Sequence, residues 1–401
     1  MMAKISDIIN NKLCLGCGLC SAISEKCEMR LNPHGFYEPV LTEISQQEEK
    51  LISHICPSIN ITCNREHNNT SVWGNVILAS NAWAVDENIR KSSSSGGVTS
   101  ALAIYLLESH RVDAILHVGV CENDYLHNTL HISKSQKDIL KRNASRYAPA
   151  LVFDKIFEIL DKNNDTYAFI GKPCDIAGLK NLILVYPQYK GRIKYFLSIF
   201  CAGMPSYNAT VKAINTFGNT SKPISLQYRG NGWPGYFTVE FEDGTTSKMT
   251  YNESWGKILG KELGLRCKIC PDGIGLLADI SSGDSWNTKD GYPDFTESDG
   301  RNFCFIRTKA GKELFESAIK EGYIIDEILD IDEVRNMQNY QYTRRHYVGW
   351  RIVAIQLLTR KILSFKNIGY IRMALSSNLL KGIKESLGTV KRFNKIGSKN
   401  G

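Results

Sequence analysis

Tyr167-Ala168-Phe169-Ile170-Gly171 runs straight into Lys172-Pro173-Cys174-Asp175-Ile176, with Leu179 and Leu182 following at helical spacing. A short apolar run closed by glycine reads as a buried strand, and a proline suits the first position of a helix because its backbone N–H is not needed there. The segment is therefore a strand that turns into a helix, and Cys174 stands on the turn. Working outward, Val112 to Val120 reads as a second buried strand and Lys194 to Phe200 as a third, which ends at Cys201-Ala202-Gly203. Upstream, Ser92 to Gly97 holds four serines and two glycines and opens a helix with apolar positions Val98, Ala101, Leu102, Tyr105 and Leu106. Free N–H groups at such a start can hold an anion such as a flavin or nucleotide pyrophosphate, although serines there also serve as plain caps. Alternating strands and helices indicate an α/β chain. Phe237 to Glu242, Thr245 to Met249 and Phe303 to Arg307 add antiparallel strands, so the expected body is a mixed sheet with α+β character. Neighbouring strands ending at Cys174 and Cys201 would put two thiols on one rim.

Length and composition set the frame. With 401 residues, 43% hydrophobic and 22% charged, the chain has room for two or three cores. Collagen-like and wholly disordered readings fail on these values. From Arg344 to Gly401 there are 13 Lys or Arg and one acid, Glu385, giving +12; the whole chain is +8, so residues 1–343 sum to −4. A basic tail on a slightly acidic body does not suggest nucleic acid. No run of 18 uncharged apolar residues occurs and residues 1–10 lack a signal pattern, which suggests a cytoplasmic address. In the tail, Trp350, Val353, Ala354, Leu357, Leu358, Ile362 and Phe365 recur at helical intervals among Arg351, Arg360, Lys361, Lys366 and Arg372. This basic amphipathic pattern fits peripheral membrane contact, docking of a partner, or ordinary packing on the body.

Twelve cysteines are many for a reducing compartment, where spaced thiols are metal ligands or catalytic groups more often than disulfides. Cys14-x2-Cys17-x2-Cys20 is a ferredoxin-type run that wraps one corner of a cubane, with Gly16 and Gly18 letting the backbone approach. The fourth position of such a run is absent, because Ser24 and Glu25 stand there. Cys56-Pro57 supplies a distant fourth ligand, with Cys27 as the competitor. Counting back from Cys56 at the same spacing meets Ile52, Glu49 and Gln46, so one cubane is expected in the front module, not two. Downstream, Cys267-x2-Cys270 joins Cys174 and Cys201 as four thiols that could close a second metal site, for which spacing alone leaves both zinc and iron–sulfur open. The eight histidines show no metal-binding spacing, and Cys63, Cys121 and Cys304 have no assigned partner. Asn68 to Ser71, within the polar stretch Arg65 to Asn75, suggests a linker.

Ser94-Ser95-Gly96-Gly97, Gly171-Lys172-Pro173-Cys174, Phe200-Cys201, Cys267-Lys268-Ile269-Cys270 and Ala278-Asp279-Ile280-Ser281-Ser282-Gly283-Asp284 occur in one order. Over residues 12–320 this resembles the coenzyme F420 hydrogenase/dehydrogenase beta-subunit family. The resemblance implies an iron–sulfur flavoprotein with FAD beside the Ser95, Gly96, Gly97 loop and a 4Fe-4S cubane on Cys174, Cys201, Cys267 and Cys270. It also implies flavin or substrate contacts from Ser145, Arg146 and Tyr147, and a cofactor pocket shaped by Asp279, Gly283 and Asp284. Asp175 departs from the glutamine that family members often carry there. The expected organisation is a ferredoxin-like module over 1–70, a flavin-binding part over 71–190, the rest of the body with the second cluster ligands over 191–335, and a basic helical tail over 336–401.

The function implied is an oxidoreductase that takes electrons from ferredoxin or another redox protein. They would enter at Cys14, Cys17, Cys20 and Cys56, pass through two 4Fe-4S clusters to FAD, and reduce a small organic substrate, in a setting such as surface-polysaccharide synthesis. The alternatives are an electron-transfer subunit with no substrate of its own and a structural zinc protein.

Overall fold

The computed structural model describes residues 1–64 and 71–397; residues 65–70 of the expected linker stretch 65–75 lie outside them. A nine-stranded mixed sheet organises the body. In spatial order its strands are Ile324–Ile328, Leu78–Ala84, Asn302–Ile306, Ile280–Asp284, Ile193–Ile199, Tyr167–Gly171, Ala114–Cys121, Asp124–Ser133 and Ala150–Leu151. The middle four, from Ile280–Asp284 to Ala114–Cys121, run parallel, and antiparallel strands flank them on both sides. This is the mixed α/β sheet expected from the sequence.

Alternation along these strands sends side chains to two cores. Ile115, Ala168 and Leu197 face one core with Val98, Leu102 and Leu106 of the helix Val98–Glu108 and Leu314, Phe315 and Ala318 of the helix Lys309–Lys320. Leu116, Phe169 and Phe196 face the other with Ile176, Leu179 and Leu182 of the helix Pro173–Val185. Leu19 and Ile55 of the cysteine-bearing front module enter that second core directly. A separate three-stranded sheet, Pro223–Gln227, Tyr236–Phe241 and Thr246–Thr250, sits over the rim of the main sheet with its own core around Tyr228, Phe237 and Val239.

The tail is woven into the front module. Ser364–Lys366 pairs parallel with Asn60–Thr62, and the Ala3 N–H donates to the Ile362 carbonyl at 3.0 Å. One core joins Ile5, Ile8 and Ile52 of the front with Val348, Ile352 and Ile355 of the helix Asn339–Thr359. The sequence periodicity through Phe365 predicts a longer helix. Arg360 ends it in a left-handed conformation, φ 54°, so that the following residues can pair as a strand. No helix among the described residues is long and apolar enough to cross a membrane.

Candidate redox site

Because four strands are parallel, their carboxyl ends open on a single rim, where α/β sheets place ligands. The turns after Gly171, Ile199 and Asp284 all reach it. They line a cavity of about 310 Å³ together with Ser93, Ser95, Gly97, Ser145 and Tyr147. Gly97 has φ 77° and caps the 11-residue helix Val98–Glu108. Two side-chain bonds tie its loop to the next one: the Ser145 N–H donates to Ser94 Oγ at 2.8 Å and Asn143 Nδ2 to Ser92 Oγ at 2.8 Å. Ser93 Oγ, buried in the cavity wall, has no hydrogen-bond partner among the described residues. A buried hydroxyl without a partner is uncommon and suits a polar ligand group at this spot.

The opposite wall is aromatic and cationic. Arg229 is 2% exposed and donates to both carboxylate oxygens of Asp284, at 3.0 and 2.9 Å, and to the Pro234 carbonyl at 2.9 Å. Its guanidinium lies over the rings of Tyr251 and Trp286, and the Asp284 carboxylate drives the Arg229 pKa upward against its burial. Trp233 stacks on Trp286 at 4.6 Å and donates Nε1–H to Asp284 Oδ1 at 2.8 Å. The turn-rich loop around Trp233 thus buttresses the cavity through Trp286. Tyr251 and Trp255 are wall residues that sequence reasoning missed, since nothing in the local pattern links them to the rim.

Of the residues singled out for the cofactor, Ser95, Gly97, Ser145, Arg146, Tyr147, Gly283 and Asp284 line this cavity. Arg146 spends its donors on Asn128 Oδ1 and on the Leu226, Tyr125 and Leu126 carbonyls, so it anchors the small sheet to the rim. Gly96 faces away: a Cβ there would meet the Asn302 N at 2.8 Å and the Ala82 O at 2.9 Å. Asp279 lies at the other end of its strand. Its carboxylate accepts from the Phe196 N–H at 2.8 Å and Thr308 Oγ1 at 2.7 Å, joining strands rather than shaping the pocket.

The metal-ligand candidates fall into two small cavities. Cys14, Cys17, Cys20 and Cys56 line the first and Cys174, Cys201, Cys267 and Cys270 the second. Cys27 is off the first cavity's wall, packed beside Cys20. Left-handed Gly16 and Gly18, φ 67° and 85°, curl the front loop, and the Gly16 N–H donates to Cys14 Sγ at 3.3 Å. A Cβ on Gly16 would meet the Tyr37 carbonyl at 2.8 Å and one on Gly18 the Asp154 N at 2.8 Å. Burial pushes the Cys14 and Cys201 thiols up to about 12 and raises Cys17, Cys56, Cys174 and Cys267 too. Thiolates at these places require a positive partner. Among the described residues no three His, Cys, Asp or Glu side chains are placed to hold one metal ion.

Buried cations frame these cavities. Lys172 pairs with Asp175 at 2.6 Å, and the negative charges of Asp175 and Cys174 raise its pKa despite burial. Arg344, 2% exposed, donates to the Cys201 carbonyl at 2.7 Å, and its Nε has no hydrogen-bond partner among the described residues. Arg266, 1% exposed, donates to the Pro57 and Ser58 carbonyls beside Cys56 while its neighbour Cys267 lines the body cavity. In sequence Arg344 counts only as one more charge of a basic tail.

Two family models cover the body: the coenzyme F420 hydrogenase/dehydrogenase beta-subunit N-terminal region matches residues 79–156 and its C-terminal region residues 164–331. The chain belongs to this family. Coenzyme F420 hydrogenase subunit beta of Methanosarcina barkeri is 24% identical over 267 residues, 65% of this chain and 84% of that protein. F420-dependent formate dehydrogenase subunit beta of Methanocaldococcus jannaschii is 25% identical over 243 residues, 60% and 59% of the two chains. The coenzyme F420-dependent sulfite reductase of the same organism is 21% identical over 348 residues, 83% and 50% of the two chains. A chain of the F420-reducing NiFe hydrogenase complex of Methanosarcina barkeri shares the fold, with a TM-score of 0.55 and 21% identity over 72% of this chain and 96% of that one. This beta-subunit family is one of redox-enzyme components, which places the chain among oxidoreductase proteins.

Proposed function

We propose that this chain is an electron-relay subunit of a redox complex, with a 4Fe-4S cluster in each cysteine cavity and a flavin-type cofactor in the rim cavity. One observation carries the reading: the three cavities share walls. Leu15 lines both cysteine cavities, and Lys172, Cys201, Gly203 and Met204 line both the body cysteine cavity and the rim cavity. Eight thiols and a large polar-to-aromatic pocket lie in one file. When bound, a flavin-type ring exchanges two electrons with a proton and cubane clusters pass single electrons.

The chain's own groups suit those occupants. Arg266 and Arg344 set buried positive charge beside thiolate-rich sites, and the Gly16 N–H already points at a sulfur. Ser93 and the Gly97 helix start offer donors for a phosphate, and Tyr251, Trp255 and Trp286 form a dry wall against which a ring can lie. The relatives named above are subunits or enzymes that use coenzyme F420, which favours a deazaflavin in or against this pocket, with FAD the other candidate. They favour the relay reading over an enzyme that acts on its own organic substrate in polysaccharide synthesis, and a hydrogenase- or dehydrogenase-type subunit over ferredoxin as the partner.

Anaerobic purification followed by iron, sulfide and flavin analysis tests this. About eight irons per chain are expected. Cys56→Ala should lose the front cluster's electron paramagnetic resonance signal, Cys201→Ala the body signal, and Cys27→Ala neither. Reduced coenzyme F420 should then bleach the wild-type clusters. Stoichiometric zinc, or a front signal lost with Cys27 and not with Cys56, would overturn the assignment.

A further inference from the structure

The helix Leu379–Gly397 presents three different faces. At 3.6 residues per turn, Gly382, Thr389 and Phe393 share one side. Gly382 and Thr389 are buried there and Phe393 packs against the core of the front module. Gly382 sits under the Trp350 ring, and Ser386 Oγ donates to the Trp350 carbonyl at 3.0 Å. Next to this side, Leu379, Leu380, Ile383 and Leu387 form a stripe that points away from the body, at 59%, 78%, 44% and 64% exposure. The preceding helix, Tyr370–Leu375, adds exposed Ile371 and Leu375 one turn apart. Beyond the stripe comes a basic arc with Lys384 and Lys391, both exposed, and Lys381, whose ammonium lies over Tyr347. Glu385, the one acid after residue 343, is turned inward onto Arg351 at 2.9 Å.

A helix that needs only to pack on the body has no use for a third, apolar face in water. Contiguous exposed leucine and isoleucine mark an interaction surface. Lysine is depleted in protein–protein interfaces, whereas lysines beside an exposed apolar stripe suit anionic headgroups, with the stripe resting on the acyl boundary. The outward charge of this helix is wholly positive, because its acid is neutralised on the inner side. We propose that the helices Tyr370–Leu375 and Leu379–Gly397 form a docking surface for an anionic lipid bilayer, on which the chain lies without crossing it.

Removing the tail cannot test this, because Val348, Ile352 and Ile355 belong to the shared core. Exposed-face changes in the full chain can. The purified chain is sedimented at low salt with vesicles of phosphatidylglycerol in phosphatidylcholine and with vesicles of phosphatidylcholine alone. Binding to the first and not to the second is expected. It should weaken about 5-fold for each of Lys384→Gln and Lys391→Gln, the equivalent of ~1 kcal/mol per basic residue at an anionic surface. Leu380→Asp with Leu387→Asp should abolish it while iron content and melting temperature hold. Equal binding to both vesicles, binding to neither, or a dimer in lipid-free solution that Leu387→Asp splits into monomers would overturn the proposal, the last by giving the face to a second copy of this chain.

Discussion

Replacing Asp284 with asparagine probes the wall on which the rim cavity rests. In the native fold the carboxylate accepts two bonds from Arg229 and one from Trp233, and the Arg229 side chain is 3% exposed against 19% for Asp284. Asparagine keeps the shape and part of the bonding but leaves the guanidinium charge buried without a counter-charge. Breaking a buried pair from one side costs about 3–5 kcal/mol, and the partial exposure of Asp284 selects the lower end, ~3 kcal/mol. At about 2 °C per kcal/mol for a large domain, the melting temperature should fall by ~6 °C. Arg229→Met should cost a similar amount, while the double variant should recover most of the loss, because no uncompensated charge then stays inside. Differential scanning calorimetry of the four proteins provides the cycle. Losses in the double variant that equal the sum of the singles would show that the pair is not coupled and that the wall is held by the Trp233–Trp286 stack alone.

Gly97→Leu should yield protein that retains its iron but not its flavin-type cofactor, since φ 77° disfavours a branched side chain and a Cβ there meets the Ile89 carbonyl at 3.1 Å; full cofactor occupancy would remove this loop from the site. The pH dependence of stability carries a third expectation. Burial lowers the His117 pKa to about 4, with its ring on Ser133 Oγ at 2.8 Å. The fold holds the neutral ring whereas the unfolded chain takes up a proton near pH 6.5. Stability should therefore drop as pH falls from about 6.5 to 4, by up to ~3 kcal/mol. Urea titrations at pH 7 and pH 5 should show a smaller drop in His117→Gln, and identical slopes would exclude His117 as the source.

Much of the architecture was legible because it rests on local signals. Tyr167 to Cys174 and Lys194 to Cys201 are short apolar runs that end in glycine, proline or cysteine, and both fold as strands whose ends meet on the rim. The triple spacing of Cys14, Cys17 and Cys20 fixes a tight loop by itself. What could not be read is set by distant contacts. Arg344 and Arg345 read as tail charge, yet they are 2% and 1% exposed and donate to the Cys201, Pro271 and Ile368 carbonyls. Asp279 and Asp284 stand five residues apart in one motif, but a strand of that length carries them to opposite ends of the sheet. The helical period through Phe365 could not reveal that Ser364–Lys366 has a strand partner some 300 residues earlier.

That partnership orders the chain's assembly in time. Translation delivers Cys14, Cys17, Cys20 and Cys56 early, while the strand beside Asn60–Thr62 and the helix that covers Ile5, Ile8 and Ile52 arrive only with residues 339–366. Contacts of such long sequence separation form late in folding. For most of synthesis the front module therefore lacks the partner strand and the helix that complete its core. The tail is thus the last piece of the front module's core to arrive, and a chain stalled before residue 339 would leave Ile5, Ile8 and Ile52 in water.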